Sequence, residues 1–286
     1  MFLSDSFCNF SAIRQEHDKT SDGTTTKTLN CLKMIIGSSI ITLGSTSSTN
    51  SHARKLLRKK AAPPDGCVIR TGYQSAGRGQ QGNSWESERD CNLLLSVIVY
   101  PDMLNPSDQF LLSMSVSMGI TDFLSLHDIE STIKWPNDIY TGDRKIAGIL
   151  IENAVQGSSI ENSIIGIGLN VNQQRFVGNA PNPVSMSMLT GISYDTGSCF
   201  SELLTSLDRR YKNLIRGDFS EIRTEYLRSL YHSGEWHDYM TDGKVFRGRI
   251  ASVSNTGLLV IEELSGKLSE FAFKEVDYLI PGLSSL

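Results

Sequence analysis

The sequence predicts an α+β protein in which a large first part is followed by a small β-barrel. Up to about residue 232, buried strand-like runs such as 92–100 alternate with helical patterns such as 107–126. From Gly234 onward, short β-like runs are separated by turn sequences such as Asp242-Gly243. This change is typical of a small antiparallel barrel of roughly 50 residues. The full length of 286 residues is sufficient for one large and one small domain.

Three segments follow from these patterns. Residues 1–33 are rich in Ser, Thr, Asp and Lys and show little periodicity. We expect them to be an extension that is disordered or dispensable, with Met34 as a candidate true start. Residues 34–232 would form the main domain, and residues 233–286 the small barrel.

The elements of the main domain are predicted in order from hydrophobic spacing and capping signals. The first strand begins near Met34, and Ser47-Ser48-Thr49-Asn50 has the composition of a helix N-cap. Ser107 is the expected cap of a long helix whose apolar residues recur at helical spacing. The remaining predictions are strands at 67–70, 92–100, 133–135, 145–152 and 164–172, and helices at 51–57, 199–216 and 219–231.

Composition excludes several functional classes. A net charge of -4 gives no reason to expect a nucleic-acid or membrane partner. The sequence has no apolar run near the roughly 20 residues that span a bilayer, and no signal-peptide pattern. The five cysteines form no CxxC or zinc spacing, and the histidines form no HxxxH pair. We therefore expect reduced thiols in a cytoplasmic protein, with no structural metal.

A glycine-rich loop follows the strand at 67–70. Gly77, Gly79 and Gly82 surround Arg78, so backbone N–H groups and a guanidinium could approach an anion. The run literally matches the G-x-G-x-x-G dinucleotide fingerprint, but that fingerprint must open a helix. Only nine residues separate Gly82 from the strand at Asn92, which leaves no room for one. The loop also lacks the G-K-[ST] sequence that a P-loop requires. A plain hairpin turn remains an alternative.

A second cluster, Lys134-Trp135-Pro136-Asn137-Asp138, combines a cation, an aromatic ring, a rigid turn and a carboxylate. Lys145 follows seven residues later, before a strand that contains Gly148. Singly, Asp138 could cap a turn, Trp135 could belong to the core, and Lys145 could be solvated. Together with Arg78, these charges at strand ends favour chemistry on an anionic substrate.

A third cluster lies within an apolar strand, where Gly166 and Gly168 alternate before Asn170. Glycine inside a strand marks the close approach of a ligand or of another backbone, and the sequence leaves both readings open.

In this order, the clusters resemble those of biotin protein ligases. The matching positions are Ser48-Thr49-Asn50, the loop at 74–85, the Lys134–Asp138 run, the strand at 145–150 and the strand at 166–170. The resemblance covers about residues 34–286. It implies a mixed sheet with flanking helices, like that of class II aminoacyl-tRNA synthetases, and a C-terminal SH3-like domain. Only 33 residues precede the matching part, so the resemblance is to the monofunctional type without an N-terminal DNA-binding domain.

The resemblance implies a two-step ligase reaction. Biotin and ATP would form biotinyl-5'-AMP with Mg²⁺, and a lysine of a biotin carboxyl carrier protein would then displace AMP. The carrier would belong to acetyl-CoA carboxylase or a related carboxylase. A homodimer is compatible with the family, and no nucleic-acid or membrane partner is expected. The alternatives are a lipoate ligase or octanoyl transferase of the same fold, and a biotin-binding regulator without turnover.

Each candidate site residue takes its role from the resemblance. The catalytic group consists of Arg78, Lys134, Asp138 and Lys145. The biotin-binding group consists of Ser48, Thr49, Asn50, Gln74, Gly77, Arg78, Lys145, Gly148 and Gly166. The ATP- and adenylate-binding group consists of Arg78, Gln80, Trp85, Lys145, Gly168 and Asn170. No protein-bound metal is expected, because Mg²⁺ would enter with ATP.

Gln80 departs from the family pattern, in which many members carry a second basic residue at this position. A neutral amide cannot form one of the charge-assisted hydrogen bonds that a basic residue would form. Such a bond typically contributes about 1.5–3 kcal/mol when desolvated. We therefore predict that Gln80→Arg slows escape of the adenylate from the site. Its dissociation rate is the measurement, and an unchanged rate would refute the idea.

Overall fold

The computed structural model describes residues 34–178 and 182–279 (for Gln81 the backbone alone), together with the backbone of two strands upstream. These are β1 (Ile13–Lys19) and β2 (Thr25–Cys31), which pair antiparallel with Ile13 opposite Cys31. They belong to a compact unit, Met1–Ile35, that is distinct from the unit beginning at Ile36. The composition of residues 1–33 did not predict this pairing. Whether the segment is dispensable stays a prediction.

The unit from Ile36 onward contains a large and a small sheet with five helices among the described residues. Its elements are β3 (Ser39–Leu43), α1 (Thr49–Leu57), β4 (Cys67–Thr71), β5 (Gly77–Arg78), β6 (Ser84–Trp85), β7 (Leu93–Val99), α2 (Phe110–Ser125), β8 (Thr132–Lys134), β9 (Asp138–Thr141), β10 (Arg144–Gln156), β11 (Ser159–Leu169), α3 (Met186–Thr190), α4 (Thr196–Arg216), α5 (Phe219–Arg228), β12 (Trp236–Thr241), β13 (Lys244–Val253), β14 (Leu259–Glu263), β15 (Leu268–Phe271) and β16 (Asp277–Tyr278).

The large sheet is mixed, as expected, with strand order β3-β4-β7-β11-β10-β9-β8. β3 and β4 are parallel and α1 is their crossover helix, whereas all other neighbours are antiparallel. α1 packs against β4, β7 and β11, while α2 packs against β8, β9 and β10 and is itself contacted by α4. All seven residues of β7 are buried, which explains why the sequence of that strand is a nearly continuous apolar run.

The main differences from the predicted elements lie at short segments. The predicted helix at 107–126 is α2 preceded by a 3₁₀ turn, Pro106–Asp108. The predicted strand at 164–172 extends further upstream, because β11 pairs with β10 in a long hairpin. β5, β6 and β9 were missed, since two to four residues at a turn carry too little periodicity to indicate a strand.

The C-terminal sheet is antiparallel throughout, with strand order β15-β14-β13-β12-β16. This confirms a small C-terminal β structure beside the mixed sheet. The proposed domain boundary at residue 233 remains a prediction, and Ile36 to Leu286 forms one compact unit. One direct link is a hydrogen bond of 2.9 Å that Trp135 Nε1 donates to the carbonyl oxygen of Gly257.

Among the described residues, no helix combines the length and apolar character required to cross a bilayer. The cysteines in this part of the chain, Cys67, Cys91 and Cys199, carry free thiols.

Gly257 provides a test of the packing between α2 and the C-terminal part of the chain. Its φ is +95°, and a Cβ there would lie 2.5 Å from Cδ2 of Phe110 on α2. Gly243 has a φ of +72° but would meet nothing within 4 Å. We predict that Gly243→Ala costs about 1–2 kcal/mol for its backbone conformation. Gly257→Ala should cost about 1–3 kcal/mol more, because it also overpacks the contact.

Urea unfolding of the two variants measures that difference in free energy. Equal losses for Gly257→Ala and Gly243→Ala would show that the Phe110 contact is unimportant.

Candidate active site

The glycine loop is a β-hairpin in the structure. β5 pairs with β6, placing Gly77 opposite Trp85, and a 3₁₀ turn at Gln80–Gly82 connects them. No helix begins at this loop, which excludes the dinucleotide reading. The hairpin instead projects Arg78 and Trp85 toward the centre of the mixed sheet.

Paired glycines at the centre of the sheet allow Trp85 to lie directly on the backbone. Gly148 on β10 is opposite Gly168 on β11. A Cβ at Gly148 would lie 2.9 Å from Cζ3 of Trp85, and one at Gly168 would lie 2.6 Å from its Nε1. Any larger residue at either position would therefore displace the indole. For Gly168 the sequence left open the approach of a ligand or of another backbone; in the structure it is the Trp85 side chain that lies against this glycine.

The next glycine along β11 supports a polar cluster. Gly166 is opposite Ser96 on β7, and a Cβ at Gly166 would lie 2.9 Å from Cγ of Asn50. The Ser96 hydroxyl lies 2.6 Å from Oδ1 of Asn50 and 2.7 Å from Oγ1 of Thr49. Thr49 donates to Oε1 of Gln74 from its backbone N–H at 2.8 Å and from its hydroxyl at 3.1 Å. Side chains from α1, β7 and the loop after β4 are thereby joined in one network.

Glu152 is the main functional residue that the sequence reasoning missed. Its Oε2 accepts from Nη2 of Arg78 at 3.0 Å and from Nδ2 of Asn50 at 3.0 Å. Its Oε1 accepts from Nη2 of Arg54 at 2.5 Å. The carboxylate therefore fixes the loop arginine relative to the polar cluster. A charged residue within the apolar run of β10 was the available signal, as was the polar Ser96 within buried β7.

Lys145 and Asp138 form the second ion pair of the site, with Nζ 2.6 Å from Oδ1. Asp138 begins β9 opposite Gly148, and a register irregularity between Lys145 and Ala147 accompanies the pairing of β9 with β10. The ammonium also lies 5.7 Å from the centroid of the Trp85 ring. A cation and a carboxylate are thus held beside the indole, where both can contact the same ligand.

Lys134 is not brought to this pocket, although it precedes Asp138 by only four residues. Its Nζ lies 4.9 Å from the Tyr140 ring centroid and 5.3 Å from that of Tyr278. Burial lowers the pKa of Lys134, and the nearby carboxylate of Asp138 opposes that shift. Direct contact between Lys134 and a ligand in this pocket therefore finds no support in the geometry.

Most of the predicted site residues surround a single pocket. Those that line it are Ser48, Thr49, Asn50, Gln74, Arg78, Gln80, Trp85, Asp138, Lys145, Gly148, Gly166 and Gly168. Gly77 lies in the hairpin strand and is not part of the lining. Asn170 lines an adjoining cavity that shares Trp85 and Lys145 with the first. Unpredicted members of the main pocket are Gly79, Asn83, Ser84, Asn137 and the apolar Leu95, Ile149, Leu150, Ile167 and Phe273.

Several polar atoms at these cavities are buried without a hydrogen-bond partner among the described residues. They are Nε of Arg78, Oε1 of Gln80, Nε1 of Trp85 and Oδ1 of Asn170. Buried polar groups are ordinarily satisfied, so unpartnered donors and acceptors in residues that line a cavity fit a polar ligand. The pocket therefore combines two cations with amide and apolar side chains, a set of groups that suits an anionic ligand with both polar and apolar parts.

Comparison with known proteins gives the same family as the sequence resemblance. Residues 43–170 match the Biotin/lipoate A/B protein ligase family. These residues form a domain of that family. The matched part includes the polar cluster, the hairpin and both ion pairs.

Individual relatives and solved structures extend the similarity over most of the chain. The bifunctional ligase/repressor BirA of Bacillus spizizenii is 28% identical over 240 residues, which cover 81% of this chain and 72% of that protein. The biotin–[acetyl-CoA-carboxylase] ligase of Paracoccus denitrificans is 26% identical over 234 residues, 79% of this chain and 95% of that protein.

The structure of a biotin protein ligase from Aquifex aeolicus, in complex with biotin and ATP, superposes with a TM-score of 0.68. The two sequences are 22% identical, and the superposition covers 84% of this chain and 98% of the Aquifex aeolicus chain. This superposition shows that the two proteins share their fold.

The contact between Trp85 and Gly168 can be tested with one added methyl group. We predict that Gly168→Ala pushes the indole away from the sheet and shifts its fluorescence to longer wavelength, because the ring becomes more exposed. The unfolding free energy should fall by roughly 1–3 kcal/mol. Gly44→Ala is the matched control, since a Cβ at Gly44 would meet nothing within 4 Å.

The emission change is assigned by repeating Gly168→Ala in a Trp85→Phe background. Trp135 and Trp236 remain there, so an emission shift that persists in this background would contradict the assignment to Trp85.

Proposed function

We propose that the protein is an ATP-dependent biotin protein ligase that attaches biotin to one lysine of a biotin carboxyl carrier protein. The observation that carries this proposal is the convergence of Arg78, Lys145 and Asp138 on one pocket above paired glycines. The family match and the ligase names of the relatives support the same reaction. Biotinyl-5'-AMP is the intermediate in this proposal.

The first step joins two anions, which explains the two cations. A biotin carboxylate oxygen attacks the α-phosphorus of ATP, and pyrophosphate leaves as the new P–O bond forms. Arg78 and Lys145 offset the charge that accumulates on the phosphoryl oxygens. Their paired carboxylates, Glu152 and Asp138, keep both cations in place before the substrates bind. Mg²⁺ accompanies the nucleotide and further neutralises its phosphates.

The second step transfers the biotinyl group to an amine. The lysine amine of the carrier attacks the acyl carbon of the adenylate, the bond to AMP breaks, and the amine loses a proton. Asp138 lies at the pocket wall with its carboxylate 2.6 Å from Lys145. It orients the entering amine through a hydrogen bond and, as general base, accepts the proton that the amine loses. Lys134, which faces the tyrosine rings, assists in this proposal only electrostatically, through its charge near Asp138 and Lys145.

The two ends of biotinyl-AMP match the two ends of the pocket. The ureido head has N–H donors and a carbonyl acceptor, which suit the network of Ser48, Thr49, Asn50 and Gln74. Its ring carbons would contact Leu95, Ile149 and Ile167. At the other end, Trp85 offers an aromatic face for the adenine, with Gln80, Gly168 and Asn170 around it.

A lipoate ligase is the second candidate, because the matched family includes lipoate ligases. Lipoate has an apolar dithiolane in place of the ureido group, so it would place apolar surface against this polar network and form no hydrogen bonds with it. A cytoplasmic location is part of the proposal, supported by the free thiols of the described cysteines. A carrier from acetyl-CoA carboxylase or a related carboxylase is a further part of it.

The activity is tested with purified protein, Mg-ATP, an apo biotin carboxyl carrier domain, and either biotin or lipoate. We expect the carrier to gain the mass of one biotinyl group, with no gain from lipoate. Lys145→Ala should slow adenylate formation by roughly 10²–10³-fold, the typical loss when one charge-stabilising donor is removed. Exchange of labelled pyrophosphate into ATP measures that step.

Lys244→Ala on exposed β13 removes the same side chain away from the pocket and serves as the control. Mass gain with lipoate alone would support the second candidate. Full activity of Lys145→Ala would contradict the role given to that residue.

A further inference from the structure

A cluster of three metal-ligating side chains lies in the helical layer, apart from the pocket. Nε2 of His127 is 2.8 Å from Oε2 of Glu202. The donor atoms of His127, Cys199 and Glu202 all lie within 4.8 Å of one another. We propose that these three residues bind a divalent transition-metal ion of the zinc class.

The packing of two helices explains why the three donors meet. His127 lies just beyond the C-terminal end of α2, whereas Cys199 and Glu202 lie three residues apart near the start of α4. That spacing places both on one face of the helix. α2 packs against α4, with Gly119 close to Leu207. Because His127 is more than seventy positions away from both Cys199 and Glu202, no short-range CxxC or HxxxH spacing could reveal the cluster.

The donor set suits zinc or cobalt better than magnesium or calcium. Imidazole and thiolate are the preferred ligands of the borderline and soft ions, and a carboxylate completes three protein positions. A fourth position remains for water, as in sites that keep an open coordination position. Glu202 is 43% exposed and provides access from solvent, while Cys199 is buried on the inner side.

The surroundings hold the imidazole in place and separate it from bulk water. Phe123 and Tyr194 contact the His127 ring edge-on, with centroids 5.0 and 5.2 Å away. Burial raises the pKa of the Cys199 thiol to about 11, and the neighbouring Glu202 adds to that shift. The thiol is therefore protonated and unreactive without an ion. A bound cation would replace that proton, which is released to solvent.

The cluster is also connected to the segment that follows β11. Tyr194, which packs on His127, accepts a hydrogen bond at its carbonyl from Nδ2 of Asn172 and donates its N–H to Oδ1 of the same residue. The distances are 2.7 and 2.9 Å. An ion at the cluster would thus brace both the α2–α4 junction and the chain beyond Asn170. This inference is independent of the proposed ligase activity.

The test is a titration of the reduced, full-length protein with Co²⁺, followed by competition with Zn²⁺. We expect one tight equivalent with a thiolate-to-cobalt charge-transfer absorption, which Zn²⁺ abolishes. Cys199→Ser should remove the absorption and weaken binding by more than about 100-fold, since loss of an outer-shell partner alone costs about 10–100-fold. Cys91→Ser removes another thiol of the described chain and should retain both the absorption and the affinity.

A second variant tests the proposal in case Cys199→Ser, which alters a buried residue, does not fold. Glu202 is partly exposed, so Glu202→Gln should fold normally while it loses the increase in thermal stability that Zn²⁺ gives the unaltered protein. Absence of a charge-transfer band in the unaltered protein would overturn the proposal. So would a band that survives in Cys199→Ser, or equal zinc stabilisation of Glu202→Gln. The cluster would then be an ordinary His–Glu ion pair beside a packed cysteine.

Discussion

The close approach of Trp85 and Asn50 to the backbone of β10 and β11 is the constraint on which the site depends. It requires glycine at positions that face each other across the central strands, Gly148 with Gly168, and at Gly166 in the next row. Glycine weakens a strand because it contributes no packing and loses more entropy on folding. Here the surrounding strands compensate, since β7 is buried along its whole length and is hydrogen-bonded to β11.

The central strands also hold the charged side chains of the pocket in position. Both cations of the pocket are paired with carboxylates that come from the sheet itself, Arg78 with Glu152 and Lys145 with Asp138. Arg78 lies on a short hairpin, whereas Glu152, Asp138 and Lys145 lie on β9 and β10. The ion pair to Glu152 therefore ties the hairpin to the rigid part of the fold. Charges fixed before the substrate binds need little reorganisation during the reaction, which is the basis of electrostatic catalysis.

Much of the site could be predicted from the sequence because its residues cluster in short motifs. β9 and β10 form a tight antiparallel hairpin, so Asp138 and Lys145 come into contact although they lie seven residues apart in the sequence. Glu152 and Ser96 were missed because each is a single polar residue in an apolar run, and only strand pairing shows what it faces. Gly77 and Lys134 lie outside the pocket lining although they belong to the same motifs, and their roles stay predictions. Membership in a motif does not determine on which side of the sheet or turn a side chain lies.

In the run from Lys134 to Asp138, neighbouring side chains point to different parts of the protein. Trp135 donates to the carbonyl of Gly257 in the C-terminal sheet, and Lys134 faces Tyr278 of the same sheet. Asn137 instead donates to the carbonyl of Ile149 on β10, while Asp138 pairs with Lys145. Five consecutive residues therefore connect the C-terminal sheet with the floor of the pocket, which Phe273 reaches from the C-terminal side. A displacement of the C-terminal sheet would act on Trp135 and Asp138 through one short turn, so the small sheet contributes to the geometry of the site as well as to its enclosure.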